Sequence, residues 1–270
     1  MSATRLGRLL YAVALTVLGA LNLAWADFSY IWQPVPKLGT WLVPLAYASG
    51  VLLIAVGLGM LLPRTARLAT LVLTIHMAAW VVLTLLPSLF ASPGVEVRWL
   101  ALGEGLMLFA GGWILLAAVS PGDGGQFTGP GQVWQVRLAR LLYAVALPMV
   151  GLSHFFYLKL TASMVPGWLP FHTGFAYLTG AAHIAAGLGL LFGILPRLAA
   201  TAEAAMISLF IVSVNVPVVL GHPGDHFQLA DLFVGVALSG AAWGVAGSLA
   251  DASWGLRGAR PRPTASSSLV

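Results

Sequence analysis

Five of the six histidines in this chain, His154, His172, His183, His222 and His226, lie in its second half, near Tyr177, Asp225 and Asp231. Imidazole is the side chain that titrates nearest neutrality, and it can exchange a proton with a carbonyl oxygen that is being reduced. That chemistry suits a quinone or similar apolar carrier. His154, His172, His183 and Tyr177 are then the candidate ligand contacts, and Asp231 the candidate proton exchanger. Two other chemistries use the same residue types. His222, Asp225 and His226 are metal ligands by type. However, Pro223 and Gly224 interrupt their spacing and no His-Glu-x-x-His pattern occurs, so Asp225 reads first as a cap on the helix that follows. His76 and His183 could ligate a haem, but a hydrogen bond to a neighbouring helix explains each more simply. The plainest reading of the whole set is interhelical hydrogen bonds and interfacial aromatic anchors.

The elements that must position these residues follow from composition. The chain has 270 residues, of which 59% are hydrophobic and 8% charged, with a mean hydropathy of +0.93. A soluble domain keeps about a quarter of its residues charged, so lipid must serve as most of this protein's solvent. Cysteine is absent, which excludes disulfides, thiolate nucleophiles, iron–sulfur ligation and c-type haem attachment. A redox role therefore needs a bound or diffusing carrier, with electrons from a partner subunit.

A bilayer core of about 30 Å takes about 20 apolar helical residues. On that rule the sequence holds eight spans, over 7–26, 41–62, 67–87, 98–119, 137–157, 172–194, 198–219 and 228–248. Turns rich in Pro, Gly and Asp separate them. The fold class expected is an all-α membrane protein, with eight transmembrane helices arranged as two repeated four-helix bundles. The repeat is visible in the letters: Arg5-Leu6-Gly7-Arg8-Leu9-Leu10-Tyr11-Ala12-Val13-Ala14-Leu15 returns as Arg137-Leu138-Ala139-Arg140-Leu141-Leu142-Tyr143-Ala144-Val145-Ala146-Leu147. It continues at an offset of 130–132, with Val35-Pro36 matching Val165-Pro166, Gly50 matching Gly180, and Pro87 matching Pro217. This gives two units, 1–128 and 129–252, followed by a tail, 253–270, that reads as disordered and cytoplasmic. The repeat also argues that the first span is a retained helix, although Ala24-Trp25-Ala26 imitates a leader cleavage site.

Polar chemistry differs between the copies, because Asn22 stands opposite His154 and Leu53 opposite His183. Arg5, Arg8, Arg64, Arg67, Arg137, Arg140, Arg197, Arg257, Arg260 and Arg262 fall on one side, and Lys37, Arg98 and Lys159 on the other. The positive-inside rule makes the first side, with both termini, cytoplasmic in an inner membrane. The arginines are spread over separate turns, so the expected partner is the lipid bilayer and no nucleic acid. Among the remaining polar residues, Glu104 reads as a partner for His76 or as facing a small wet cavity. Glu203 is expected to snorkel toward Arg197. Asn215 and Pro217 read as a kink, with Pro87 and Pro217 near helix ends.

Met164-Val165-Pro166-Gly167-Trp168-Leu169-Pro170 followed by Phe175-Ala176-Tyr177-Leu178-Thr179-Gly180-Ala181-Ala182-His183 resembles the DoxX/DoxD-like family, as do Gly151-Leu152-Ser153-His154 before it and Pro217 to His222 after it. The resemblance covers the second half, and reaches the first through the repeat. It implies a tandem of four-helix inner-membrane units. It also implies a link to quinone chemistry, because the family takes its name from a subunit of a thiosulfate:quinone oxidoreductase. The function expected is a redox-associated subunit that binds a quinone or similar carrier. The alternative is a non-catalytic membrane scaffold or lipid-binding protein.

Overall fold

The computed structural model describes residues 1–29, 33, 35, 42–119 and 130–255. Pro36, Lys37, the turn at 120–125, the boundary between residues 128 and 129, and the tail from 256 onward lie outside the described residues. The described residues are helical with no strand. Eight helices are long and apolar enough to cross a bilayer: α1 (Ala3–Trp25), α2 (Val43–Leu61), α3 (Ala66–Ala91), α4 (Glu96–Val119), α5 (Pro130–Phe156), α6 (His172–Phe192), α7 (Pro196–Gly221) and α8 (His226–Ser248). A short helix, Leu158–Met164, lies between α5 and α6.

Capping explains where two of these helices begin. The Ser2 hydroxyl accepts from the Arg5 amide at 3.3 Å, and an Asp225 carboxylate oxygen accepts from the Gln228 amide at 3.1 Å. Each satisfies an amide that the first turn leaves without a partner.

The two prolines lie near the C-terminal ends of their helices, as expected, each four residues before the last. In α3 the turn Val81–Leu85 is a π-turn, where the Leu86 amide reaches back to the Val81 carbonyl. In α7 the turn Ile211–Asn215 does the same, with the Val216 amide on the Ile211 carbonyl. A proline ring clashes with the carbonyl four residues before it and offers no N–H. The wider π-turn moves that carbonyl aside, so each helix runs on past its proline, to Ala91 and Gly221.

Helix pairing recurs along the chain. α1 packs on α2 and α8, while α5 packs on α6 and α4, and α4 also meets α8. The two largest cores each draw on helices from both halves. One gathers Tyr11, Leu15, Leu53, Met60, Leu73, Leu108 and residues of α8. The other gathers Met107 and Ile114 of α4 with Tyr143, Leu147, Ala186, Ile207 and Val245. Lipid tails give no hydrophobic push between spans, so such packing depends on close backbone approach through small residues. A Cβ on Gly151 would lie 2.7 Å from the Gly180 carbonyl oxygen, and one on Gly180 would lie 2.9 Å from that of Gly151. This brings α5 and α6 into backbone contact beside His154 and His183.

Candidate functional site

His183 lies eleven residues into α6 and is buried, as is Glu203 on α7. Residue 194 is in the turn joining these helices, with His183 eleven residues before it and Glu203 nine after it, so the two side chains lie at nearly the same depth. They meet with His183 Nδ1 and Glu203 Oε1 2.8 Å apart. Glu203 therefore does not snorkel toward Arg197. It is 1% exposed and turned inward, because the pair is available at its own depth on the adjacent helix.

His154 joins the pair from α5. Its ring centroid is 5.2 Å from that of His183, tilted by 51°. A Cβ on Gly180 would meet the His154 Cβ at 2.7 Å, so the missing side chain is what lets His154 approach. His154 Nδ1 lies 3.3 Å from the Val150 carbonyl oxygen. A carbonyl can only accept, so Nδ1 carries the hydrogen in this contact and Nε2 is left as the ring's acceptor atom.

Tyr177 and His172 stand apart from this cluster. Tyr177 is 45% exposed and packs beside Phe155, with ring centroids 5.6 Å apart. Phe156 is exposed as well. Phe155 and Tyr177 together make an exposed aromatic strip beside His154. His172 is the first residue of α6, two turns before the Gly180 contact.

Asp231 belongs to a separate group. Its Oδ2 accepts from Asn215 Nδ2 at 2.7 Å, which ties the π-turn of α7 to α8. Asn215 thus bonds a carboxylate rather than carbonyls freed by Pro217. Glu104 on α4 is within electrostatic range of Asp231. The three candidates around the turn between α7 and α8 serve separate purposes. Asp225 caps α8. His226 stacks on Trp25 at 4.6 Å, with the ring planes 4° apart. His222 Nδ1 lies 3.2 Å from the Val218 carbonyl oxygen. Among the described residues no group of three or more His, Asp or Glu could hold a metal ion. His76 Nε2 accepts from Trp80 Nε1 at 2.9 Å on its own helix, α3.

The first half holds polar structure that spacing does not reveal. Asn22, at the place matching His154, donates to Gln33 Oε1 at 3.0 Å and accepts from the Ser29 hydroxyl at 2.8 Å. Gln33 in turn donates to the Ser49 hydroxyl at 2.8 Å. Beside this network is an open-sided groove of about 430 Å³, lined by Phe28, Ser49, Leu52, His76, Trp80 and Thr84 among others. Gln33 is flanked by neither an apolar period nor a motif, so nothing in the letters marks it.

Two matched tyrosines show the divergence of the halves most simply. Tyr11 and Tyr143 are both fully buried. The Tyr11 hydroxyl donates to the Leu108 carbonyl at 3.0 Å, whereas the Tyr143 hydroxyl has no partner among the described residues. Tyr11→Phe is therefore expected to lose about 1 kcal/mol, and Tyr143→Phe to be as stable as the parent. Unfolding of both variants in mixed micelles checks this.

These features define an all-helical, multi-pass membrane protein with a buried His183–Glu203 pair, beside a half-buried His154, in its second half. A family model described as "Domain of unknown function (DUF8561)" matches residues 143–243, the stretch that holds Tyr143, His154, His183, Glu203 and Asp231. No curated protein and no solved structure matches the chain.

Proposed function

We propose that this protein is a redox-associated membrane subunit whose second half receives a quinone or similar apolar carrier from the lipid at the strip formed by His154, Phe155 and Tyr177. The observation that carries this reading is the placement of His154. It stands next to a lipid-exposed aromatic strip and is backed by a buried imidazole–carboxylate pair. A planar ring stacks on Phe155 and Tyr177, and His154 Nε2 exchanges a proton with the ring's carbonyl oxygen. His183 and Glu203 restore the charge state of His154. Electrons come from a partner subunit, since the chain has no cysteine to hold a redox thiol. His172 stands at the mouth of the strip, and Asp231 serves the aqueous side through a separate route. The resemblance to the DoxX/DoxD-like family and the two-unit division of the chain agree with this reading. So does a cytoplasmic placement of the arginine-bearing face and of both termini in an inner membrane.

Extraction of lipid-soluble ligands from the purified protein, followed by mass spectrometry, tests the reading. Recovery of a quinone is expected. Failure to recover one, together with no saturable binding of an added short-chain quinone, would overturn it. A second reading has its own support: the hydrogen bonds of the cluster are pairwise, as in a scaffold that only locks helices together. The two readings separate when the His183–Glu203 pair is removed without loss of the fold.

A further inference from the structure

An open-sided apolar groove of about 410 Å³ runs between α2 and α3 in the first half and reaches the turn that joins them. Small residues make room for it. A Cβ on Gly59 would lie 3.0 Å from that of Ala69, so the two helices meet closely there, and Ala55 adds little bulk beside them. Leu58, Leu62 and Leu68 line the groove and are exposed. From Leu62 at the turn to Leu52, the lining residue of α2 farthest from it, is ten residues. At the helical rise this is about 15 Å, half of a hydrocarbon core of about 30 Å. The groove is therefore one leaflet deep.

The turn that closes it carries two cations. Thr65 lines the groove, and its hydroxyl donates to the Gly59 carbonyl at 2.8 Å. This satisfies one of the carbonyls that the end of a helix leaves open. Arg64 and Arg67 stand on either side of Thr65 in the chain and are exposed. Neither has a hydrogen-bond or ion-pair partner among the described residues.

The matching place in the second half is built differently. At the offset of 130, Ile194 stands for Arg64 and Leu195 for Thr65. Arg197 stands for Arg67, but its own chain engages it. Its guanidinium donates to the Ala252 carbonyl at 3.2 Å and lies over the Trp254 ring, 4.2 Å from the centroid. Topology asks only for arginines on that face of the membrane. It does not ask for two uncommitted ones at the mouth of a groove.

We propose that this groove binds one anionic phospholipid, with an acyl chain laid between α2 and α3 and the phosphate held by Arg64 and Arg67. Lipid tails are as apolar as leucine, so a tail fits the groove but does not tell one headgroup from another. The guanidinium groups do. Each can give paired N–H bonds to phosphate oxygens, and basic residues at a membrane surface favour anionic headgroups. A zwitterionic headgroup carries its own cation, which the arginines repel. The site lies in the other half of the chain from His154 and does not depend on the carrier reading.

The test is native mass spectrometry of the full chain in detergent, titrated with phosphatidylglycerol or with phosphatidylcholine of the same acyl chains. The parent is expected to hold one phosphatidylglycerol about tenfold more strongly than phosphatidylcholine. Arg64→Ala/Arg67→Ala is expected to abolish that preference, and Arg64→Lys/Arg67→Lys to keep most of it. Arg137→Ala removes an exposed arginine from α5, which packs on α4 and α6, and is expected to leave the preference unchanged. Ala55→Phe fills the groove from an exposed position and is expected to weaken binding of both lipids. The proposal is overturned by equal retention of the two lipids on the parent, or by a preference that survives Arg64→Ala/Arg67→Ala. Unchanged binding in Ala55→Phe also overturns it. Displacement of the lipid by inorganic phosphate would give the arginines to a free anion, and a dimer that excludes the lipid would give the groove to a second copy. Either result overturns the lipid site.

Discussion

Replacing His183 by Leu, or Glu203 by Leu, is expected to destabilise the protein by about 3–5 kcal/mol, whereas replacing both together is expected to be neutral or stabilising. Removing one member of a buried hydrogen-bonded pair leaves the other without its partner in a medium that cannot solvate it. Removing both exchanges the pair for apolar volume of similar size. The first half already contains that exchange, since Leu53 and Leu73 occupy the matching places, each 1% exposed and in one core. Unfolding by a denaturing detergent, run on the two single variants and the double variant, measures the coupling between them. If the single effects simply add, the pair is not coupled and the 2.8 Å contact carries no energy. If the double variant is stable, the His–Glu pair is not there to hold α6 on α7, and its retention calls for a functional reason.

The second large effect concerns α1 and α8. A Cβ on Gly7 would lie 2.6 Å from the Gly240 carbonyl oxygen and 2.7 Å from the Gly244 nitrogen. One on Gly240 would lie 2.8 Å from both the Gly7 carbonyl oxygen and the Tyr11 nitrogen. Backbone atoms cannot rotate out of the way as a side chain can, so Gly240→Val must push the helices apart. The displacement also strains the Tyr11–Leu108 hydrogen bond, which sits at the same crossing. A loss of about 3 kcal/mol is expected, at the upper end of what overpacking costs. Gly167→Val, where no atom lies within 4 Å of the added Cβ, is expected to change nothing measurable. Thermal unfolding of the two variants in lipid–detergent micelles compares them directly.

The spans were legible because twenty-residue apolar runs have few other uses, and eight such helices are present. The prolines were legible as lying near helix ends, but a sequence shows the missing N–H and not the π-turn that accommodates it. Glu203 misled for a related reason. Its distance from Arg197 along the chain gives a depth, yet snorkelling depends on the face the side chain occupies. A usable signal was nevertheless present. Residues equidistant from a tight interhelical turn share a depth, and this count sets His183 level with Glu203 across the turn at 193–195. It does the same for Asn215 and Asp231 across 222–225, and those two do bond. His154 was visible as a polar residue in a span, but its approach to His183 depends on the absent side chain of Gly180 on the facing helix. The Asn22–Gln33–Ser49 network was not legible, because Gln33 belongs to no periodic element.

The site reading therefore rests on an asymmetry between two similar sets of helices. The second half carries a buried imidazole–carboxylate pair and a half-buried imidazole beside exposed aromatic rings, where the first half carries leucines and an amide network. The most direct test is titration of the purified protein with a short-chain quinone, followed by tryptophan fluorescence, on the parent, His154→Ala and the His183→Leu/Glu203→Leu double variant. The account predicts saturable binding to the parent, binding weakened by about tenfold in His154→Ala, and a folded double variant that binds the quinone but no longer shows pH-dependent affinity. Binding of equal strength in the parent and in His154→Ala would contradict it.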